Sequence, residues 1–138
     1  MVDEELKQKM IDKIQSDEFG VEDIDDYMNL FCQIANESDA VQDEVKGQFA
    51  NKTLVFYIDD FKTKTLKLRD CVFSIEDTDS EEWDSTVKTS AENFAGLISG
   101  QKDGNSLYMS GQLEVHGGLP NIIKFQTILQ VIIEELGI

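Results

Sequence analysis

Residues 85–129 decide the fold, and they read STVKTSAENFAGLISGQKDGNSLYMSGQLEVHGGLPNIIKFQTIL. The first part, Ser85–Thr89, is a short run that predicts a β-strand. A helix is predicted after it, because Thr89-Ser90 is a suitable N-cap and Gly100 is a suitable stop. The apolar face of this helix consists of Phe94, Leu97 and Ile98. A strand that leads directly into a capped helix indicates a protein of mixed α and β structure.

Two more elements complete this stretch. The alternation of Gly111, Leu113 and Val115 predicts a strand over Tyr108–His116. A last helix is predicted from Pro120 to Leu136, since proline is favourable in the first turn of a helix. Its apolar face is wider than one contact with a sheet requires, so the excess either lines a cavity or forms a dimer contact. That face consists of Ile122, Phe125, Ile128, Leu129, Ile132, Ile133 and Leu136.

The sequence before residue 85 changes from a helical to a β pattern. Apolar residues recur at helical spacing in residues 3–16 and again between Val21 and Ala35, and Ser38 is a suitable cap for a third helix that ends near Gly47. Strands are then predicted at Thr53–Ile58, Thr65–Arg69 and Cys71–Ile75. We read the first four strands as a meander. The segregation of helices and strands predicts the α+β class, with an antiparallel or mixed sheet and helices on one face.

Length and charge exclude several classes of protein. A chain of 138 residues predicts one domain that buries a core without disulfides or metals. The net charge of −16 argues against nucleic acid and against anionic membranes as partners. No run approaches the roughly 18 to 20 apolar residues that span a bilayer, so stable membrane insertion is not expected. The acidic start differs from a secretory signal, and we expect a cytoplasmic protein.

Candidate groups for catalysis or metal binding are few. His116 is the single histidine, and it lies at the end of a predicted strand. One histidine with the distant Cys32 and Cys71 does not supply the usual zinc ligands. The acidic loop 76–84 has part of the spacing of a calcium loop but lacks the required glycine and the last glutamate. We therefore predict no catalytic site, no metal site and no cofactor. The apolar faces fit either a plain packed core or a pocket.

Four features of residues 85–129 resemble the sterol carrier protein 2 family. They are the strand and capped helix Thr86–Phe94, the helix end Leu97–Gly100, the strand Tyr108–Gly117 and the terminal helix Leu119–Leu129. The third is similar to the family's aromatic-x-small-Gly-Lys-Leu-x-Val-x-Gly strand, with Gln112 where the family often has lysine. The resemblance covers about residues 40–136, and residues 1–38 are additional acidic helices in the same single domain.

The resemblance implies a five-stranded, mostly antiparallel sheet with helices on one face and a hydrophobic tunnel between the two layers. It also implies a non-enzymatic carrier whose partner is a lipid-like molecule such as a sterol, fatty acid, fatty acyl or isoprenoid compound. Gln126 could hydrogen-bond the head group of the ligand. By position, the residues lining the tunnel are Phe73, Ile75, Val87, Phe94, Leu97, Ile98, Met109, Leu113, Val115, Ile122, Phe125, Gln126 and Leu129.

A second interpretation gives the fold a filled core and no lipid ligand. Ile123 and Val131 fall on or beside the polar side of the last helix, where apolar residues are not needed for the core. In that case they mark a surface for a protein partner, including a homodimer through the C-terminal helix.

Overall fold

The computed structural model of the protein describes residues 2–138. Six α-helices and five β-strands form in this part of the chain. The helices are α1 (Glu4–Gln15), α2 (Ile24–Glu37), α3 (Asp39–Val45), α4 (Ala91–Ile98), α5 (Gly104–Met109) and α6 (Leu119–Leu136). The strands are β1 (Lys52–Asp59), β2 (Thr63–Arg69), β3 (Val72–Glu76), β4 (Ser85–Ser90) and β5 (Glu114–Gly117). The predicted α+β class is confirmed.

The sheet has the strand order β3-β2-β1-β4-β5. Strands β1 and β4 run parallel, with Phe56 beside Val87, and the other neighbours run antiparallel. The mostly antiparallel, five-stranded sheet is therefore confirmed. The prediction of a four-strand meander was wrong for β4, which lies beside β1 and not beside β3. The chain reaches that position through the loop 77–84, which connects β3 to β4 by crossing over β2 and β1.

The loop 77–84 is held on the face of the sheet opposite the helices. Thr65 Oγ1 donates to the carbonyl oxygen of Thr78 at 2.6 Å, and the Tyr57 hydroxyl donates to Asp79 Oδ1 at 2.9 Å. Both contacts join the loop to polar side chains of the central strands. Polar residues at these strand positions thus allow a crossover without a second layer of helices.

Capping explains where the helices begin. The Asp3 carboxylate accepts from the backbone N–H of Leu6 at the start of α1, and the hydroxyls of Ser38 and Ser90 accept in the same way at α3 and α4. Gly137 ends α6 in the left-handed conformation, with φ of 78°. Most of the helices predicted from the sequence are confirmed within one or two residues of their ends.

The predicted strand over Tyr108–His116 was wrong in its first half. Residues 104–109 form the helix α5, and strand pairing begins only at Glu114. The Asp103 carboxylate accepts from the backbone N–H of Asn105 and so caps this helix. The Asp103-Gly104 pair therefore starts a helix.

Five phenylalanine rings connect the sheet to the helices, and we call them the phenylalanine chain. The order of contact is Phe73 of β3, Phe31 of α2, Phe125 of α6, Phe56 of β1 and Phe94 of α4. The ring centroids lie 5.8, 5.7, 5.0 and 5.3 Å apart along this order. All five side chains are buried. Separations of 4.5–7 Å are favourable for aromatic pairs, so the rings tie three helices and two strands together.

A cluster of charges ties α2 and the crossing loop to β2. The ammonium group of Lys64 is buried and forms ion pairs with Asp25 of α2 and Asp77 of the loop, and Lys62 pairs with the same two carboxylates at 2.9 and 3.2 Å. Hydrogen bonds from Lys64 hold the pKa of Asp77 below its usual value. Burial opposes ionisation of Asp25, but hydrogen bonds from both lysines outweigh it and lower the pKa of Asp25 too.

We predict that Phe125→Ala destabilises the protein by about 3–5 kcal/mol, because it removes a ring that touches two others in a fully packed interior. Urea denaturation followed by circular dichroism measures the change. Ile123→Ala on the same helix is the control, since Ile123 is 53% exposed. If Phe125→Ala lowers the free energy of unfolding only as much as the control does, the phenylalanine chain does not hold the layers together.

Low pH is expected to weaken the ion pairs of Lys64 with Asp25 and Asp77. A carboxylate whose pKa is lowered on folding stabilises the folded state above its unfolded pKa of about 4, and that contribution is lost as the pH falls further. Asp77→Asn should therefore be less stable than the wild type at about pH 7, and the difference should shrink below about pH 4. Urea denaturation across this pH range measures the free energy of unfolding of the variant and of the wild type.

The control is Glu82→Gln, which removes the same charge from the same loop. It separates loss of the ion pair from the general relief of negative charge. If Asp77→Asn and Glu82→Gln have the same pH dependence, the cluster does not hold the loop.

Candidate functional site

All but one of the residues predicted to line a tunnel face one interior, and they come from β3, β4, β5, α4, α6 and the turn before β5. Val87 of β4 and Val115 of β5 are neighbours in the sheet, and the helices α4 and α6 lie over the same side. Ile75, Val115 and Gln126 are half-buried. The buried members are Phe73, Val87, Phe94, Leu97, Ile98, Leu113, Ile122, Phe125 and Leu129. The structure thus brings twelve of the thirteen residues to the interior or its margin.

Met109 is the residue that the structure does not bring to this interior. It is the last residue of α5, and its side chain is 86% exposed. The prediction placed it on a strand, where alternation would turn it inward. Because residues 104–109 are helical, Leu107 is buried instead.

A groove opens between α4 and α6 and has a volume of about 400 Å³. We call it the α4–α6 groove. One wall is Leu97 with residues 100–104, and the other is Gln126, Leu129, Gln130 and Ile133. Leu97 and Leu129 also belong to the buried core that contains the phenylalanine chain. The apolar interior therefore meets the surface at this groove.

The polar group of Gln126 is held against the start of α5. A Cβ atom on Gly104 would overlap Gln126 Nε2 and lie 3.1 Å from Leu97 Cδ1. Glycine at this position therefore lets α5 approach α6 closely. The contact places the Gln126 amide at the edge of the groove, beside the apolar wall.

The charges at the rim of the α4–α6 groove cancel. Lys102 Nζ donates to Asn93 Oδ1 at 2.7 Å, and the Asp103 carboxylate accepts from Ser106 Oγ at 3.0 Å. Both groups are thus held by neighbours at the surface. The groove offers no net charge to an ionised ligand, and it can accept apolar groups on one side and amide contacts on the other.

Sequence reasoning missed two central residues of the interior, Phe31 and Phe56. Both lay in elements that were predicted correctly, on a helical stripe and in a β-rich run. Their apolar patterns are visible in the sequence, but the resemblance to the sterol carrier protein 2 family is specific only in the last third of the chain. Nothing in the local sequence indicates that residues 100–104 line a groove, because they do so only together with the distant helix α6.

A second depression lies on the helix-free face of the sheet and has a volume of about 540 Å³. Lys88, Glu114 and His116 line it together with Tyr57 and Thr86. It is separated from the apolar interior by the sheet. His116 is exposed there, with polar neighbours from β4 and β5.

Metal binding and nucleophilic chemistry depend on titratable groups outside the groove. Burial raises the pKa of the Cys32 thiol to about 12, so this cysteine stays protonated near neutral pH. Cys32 and Cys71 are both free thiols. Residues 2–138 contain no group of three or more His, Cys, Asp or Glu side chains placed to hold a metal ion. In the same range, no helix combines the length and hydropathy needed to cross a membrane.

Comparison with known proteins gives one family and several similar folds. The sequence model of the SCP-2 sterol transfer family matches residues 29–130. A search of curated protein sequences found no match. A solved structure described as a UbiJ-SCP2 ubiquinone synthesis protein has a TM-score of 0.63 and 20% identity, covering 75% of this chain and 84% of that one.

Two other solved structures resemble the chain to a similar degree. Apo sterol carrier protein 2 from Yarrowia lipolytica has a TM-score of 0.54 and 20% identity, over 72% of this chain and 84% of that one. The sec-alkylsulfatase Pisa1 from Pseudomonas sp. has a TM-score of 0.56 and 19% identity, over 63% of this chain and 14% of that one. At these identities the likeness concerns the fold.

Proposed function

This chain belongs to the SCP-2 sterol transfer family, and we propose that it is a non-enzymatic carrier that binds a neutral lipid-like molecule through the α4–α6 groove. The observation that carries the proposal is that the apolar core reaches the surface there, at Leu97 and Leu129. The groove volume of about 400 Å³ lies within the range of small-molecule sites. A cytoplasmic location stays a prediction.

Charge supports a neutral ligand within the classes that the family suggests. The chain has 28 acidic and 12 basic side chains, so its surroundings repel anions. The groove rim contributes one lysine and one aspartate, which does not offset that repulsion. We therefore favour a sterol, alcohol or isoprenoid-like compound over an ionised fatty acid.

The proposed binding mode places the apolar part of the ligand on Leu97, Leu129 and Ile133. Gln126 would then meet a polar group at the edge of the groove, as the resemblance suggests. A longer ligand would extend between α4 and α6 and separate contacts of the phenylalanine chain. The other predicted lining residues, except Met109, would surround that extension. We propose that residues 40–136 form this binding part and that residues 1–38 add helices to it.

Gently purified wild-type protein should carry a lipid in native mass spectrometry that organic extraction releases, and it should bind a pyrene-labelled dodecanol. Gln130→Trp should lower the affinity for the probe about tenfold, because an indole ring would occupy the groove from an exposed position. Fluorescence titration measures the affinity.

Ile123→Trp is the matched control, since it adds the same ring to an exposed position two turns away on α6. Its affinity should equal that of the wild type. A bare protein mass together with no probe binding by the wild type would overturn the proposed function. Equal affinities in both variants would place the ligand elsewhere.

A second candidate function is an interaction module with a filled core. Two observations favour it: the rings of the phenylalanine chain are in contact, and Leu119 and Ile123 are 39% and 53% exposed on successive turns of α6. Apolar side chains placed in this way can form a surface for a second copy of the chain.

If α6 forms a homodimer, the wild type should sediment as a dimer at high concentration and Ile123→Glu as a monomer. The introduced carboxylate would be buried without a partner in the interface. Analytical ultracentrifugation distinguishes the two states, and Glu134→Gln serves as a control on the exposed side of the same helix. A monomeric wild type at the highest soluble concentration would rule out the homodimer.

A further inference from the structure

Tyr27 has a buried hydroxyl group that the fold leaves unpaired. The side chain lies on α2 and is 0% exposed. Its ring packs edge-on against Phe19, with the centroids 5.4 Å apart. Its hydroxyl has no hydrogen-bond partner among residues 2–138. Buried hydroxyls in folded proteins nearly always have a partner, so this one requires an explanation.

Packing alone does not explain a tyrosine at this position. The neighbouring buried residues of α2 are apolar side chains such as Ile24, Met28 and Phe31. Phenylalanine would keep the edge-on contact with Phe19 and would avoid the cost of an unpaired hydroxyl. Burial raises the pKa of Tyr27, so the hydroxyl keeps its proton and can act only as a neutral donor or acceptor.

The loop 16–20 contacts both Tyr27 and the wall of the α4–α6 groove. Gln101, on the groove wall, donates from Nε2 to Asp17 Oδ1 at 3.1 Å. Asp17 lies in the loop 16–20, whose single buried side chain is Phe19. The ring of Phe19 packs edge-on against that of Tyr27. One short loop therefore joins the groove wall to the ring that carries the unpaired hydroxyl.

We propose that the oxygen of a neutral lipid-like ligand, such as an alcohol, sterol or ketone, accepts a hydrogen bond from the Tyr27 hydroxyl, so that Tyr27 and not Gln126 binds the ligand's polar group. This proposal rests on the proposed function. A carboxylate ligand is disfavoured, because it would lose its hydration and gain one neutral donor in return. The ligand's apolar part would extend from Tyr27 towards the groove, under the loop 16–20.

The test compares two probes that differ only in one hydroxyl group, a pyrene-labelled dodecanol and dodecylpyrene. Tyr27→Phe should lower the affinity for the alcohol about tenfold, as loss of one buried hydrogen bond would. Its affinity for dodecylpyrene should stay within about twofold of the wild type. The unliganded variant should have an unchanged or higher unfolding midpoint, since an unpaired hydroxyl is removed.

Tyr57→Phe is the control, because the Tyr57 hydroxyl donates to Asp79 on the helix-free face of the sheet. It should bind both probes as the wild type does. If Tyr27→Phe binds the alcohol as tightly as the wild type, or loses both probes equally, the assignment of Tyr27 is overturned while the proposed function stands. If the wild type binds neither probe, the proposed function fails and this assignment fails with it.

Discussion

The contact between Phe56 of β1 and Phe125 of α6, with ring centroids 5.0 Å apart, joins the two layers of the structure. Phe56 is on the central strand, so its position also fixes β2 and β4 through their register with β1. Phe125 brings α6 over the sheet and touches Phe31 of α2. The helix caps decide where the helices begin but not where they pack. The arrangement of the layers therefore follows from these rings.

Local signals in the sequence were sufficient for most helices and strands but not for their neighbours in the sheet. Ser38 and Ser90 marked helix starts because a cap is formed by residues three apart. The position of β4 beside β1 depends on hydrogen bonds between the loop 77–84 and the strands β2 and β1. The bonded residues are 13 and 31 positions apart in the sequence. Such pairings have no periodic signature. The helix α5 was missed because its cap, Asp103, precedes a glycine, and an Asp-Gly pair is typical of a turn.

The apolar residues of the candidate site were predictable from the sequence, and of its polar groups only Gln126 was predicted. Periodicity and the resemblance identified Phe94, Leu97 and Leu129, since a buried face repeats along a helix. The groove walls and the unpaired hydroxyl of Tyr27 depend on which distant segments meet. Tyr27 lies beside an apolar stripe at helical spacing, and its partner Phe19 lies in a short loop. A polar group becomes informative only when its surroundings are known, because burial decides whether a missing partner has a cost.

The net negative charge of the chain and its apolar interior both favour a neutral ligand. The surface of a chain with a net charge of −16 keeps anions away, while the interior offers hydrocarbon and a protonated phenol. The buried ammonium group of Lys64 is satisfied by its ion pairs with Asp25 and Asp77. The N-terminal segment with Phe19 and Tyr27 precedes the family match, which begins at residue 29. Selectivity for the ligand's polar group would then reside in residues added to the family fold, and affinity in the apolar interior that the fold itself provides.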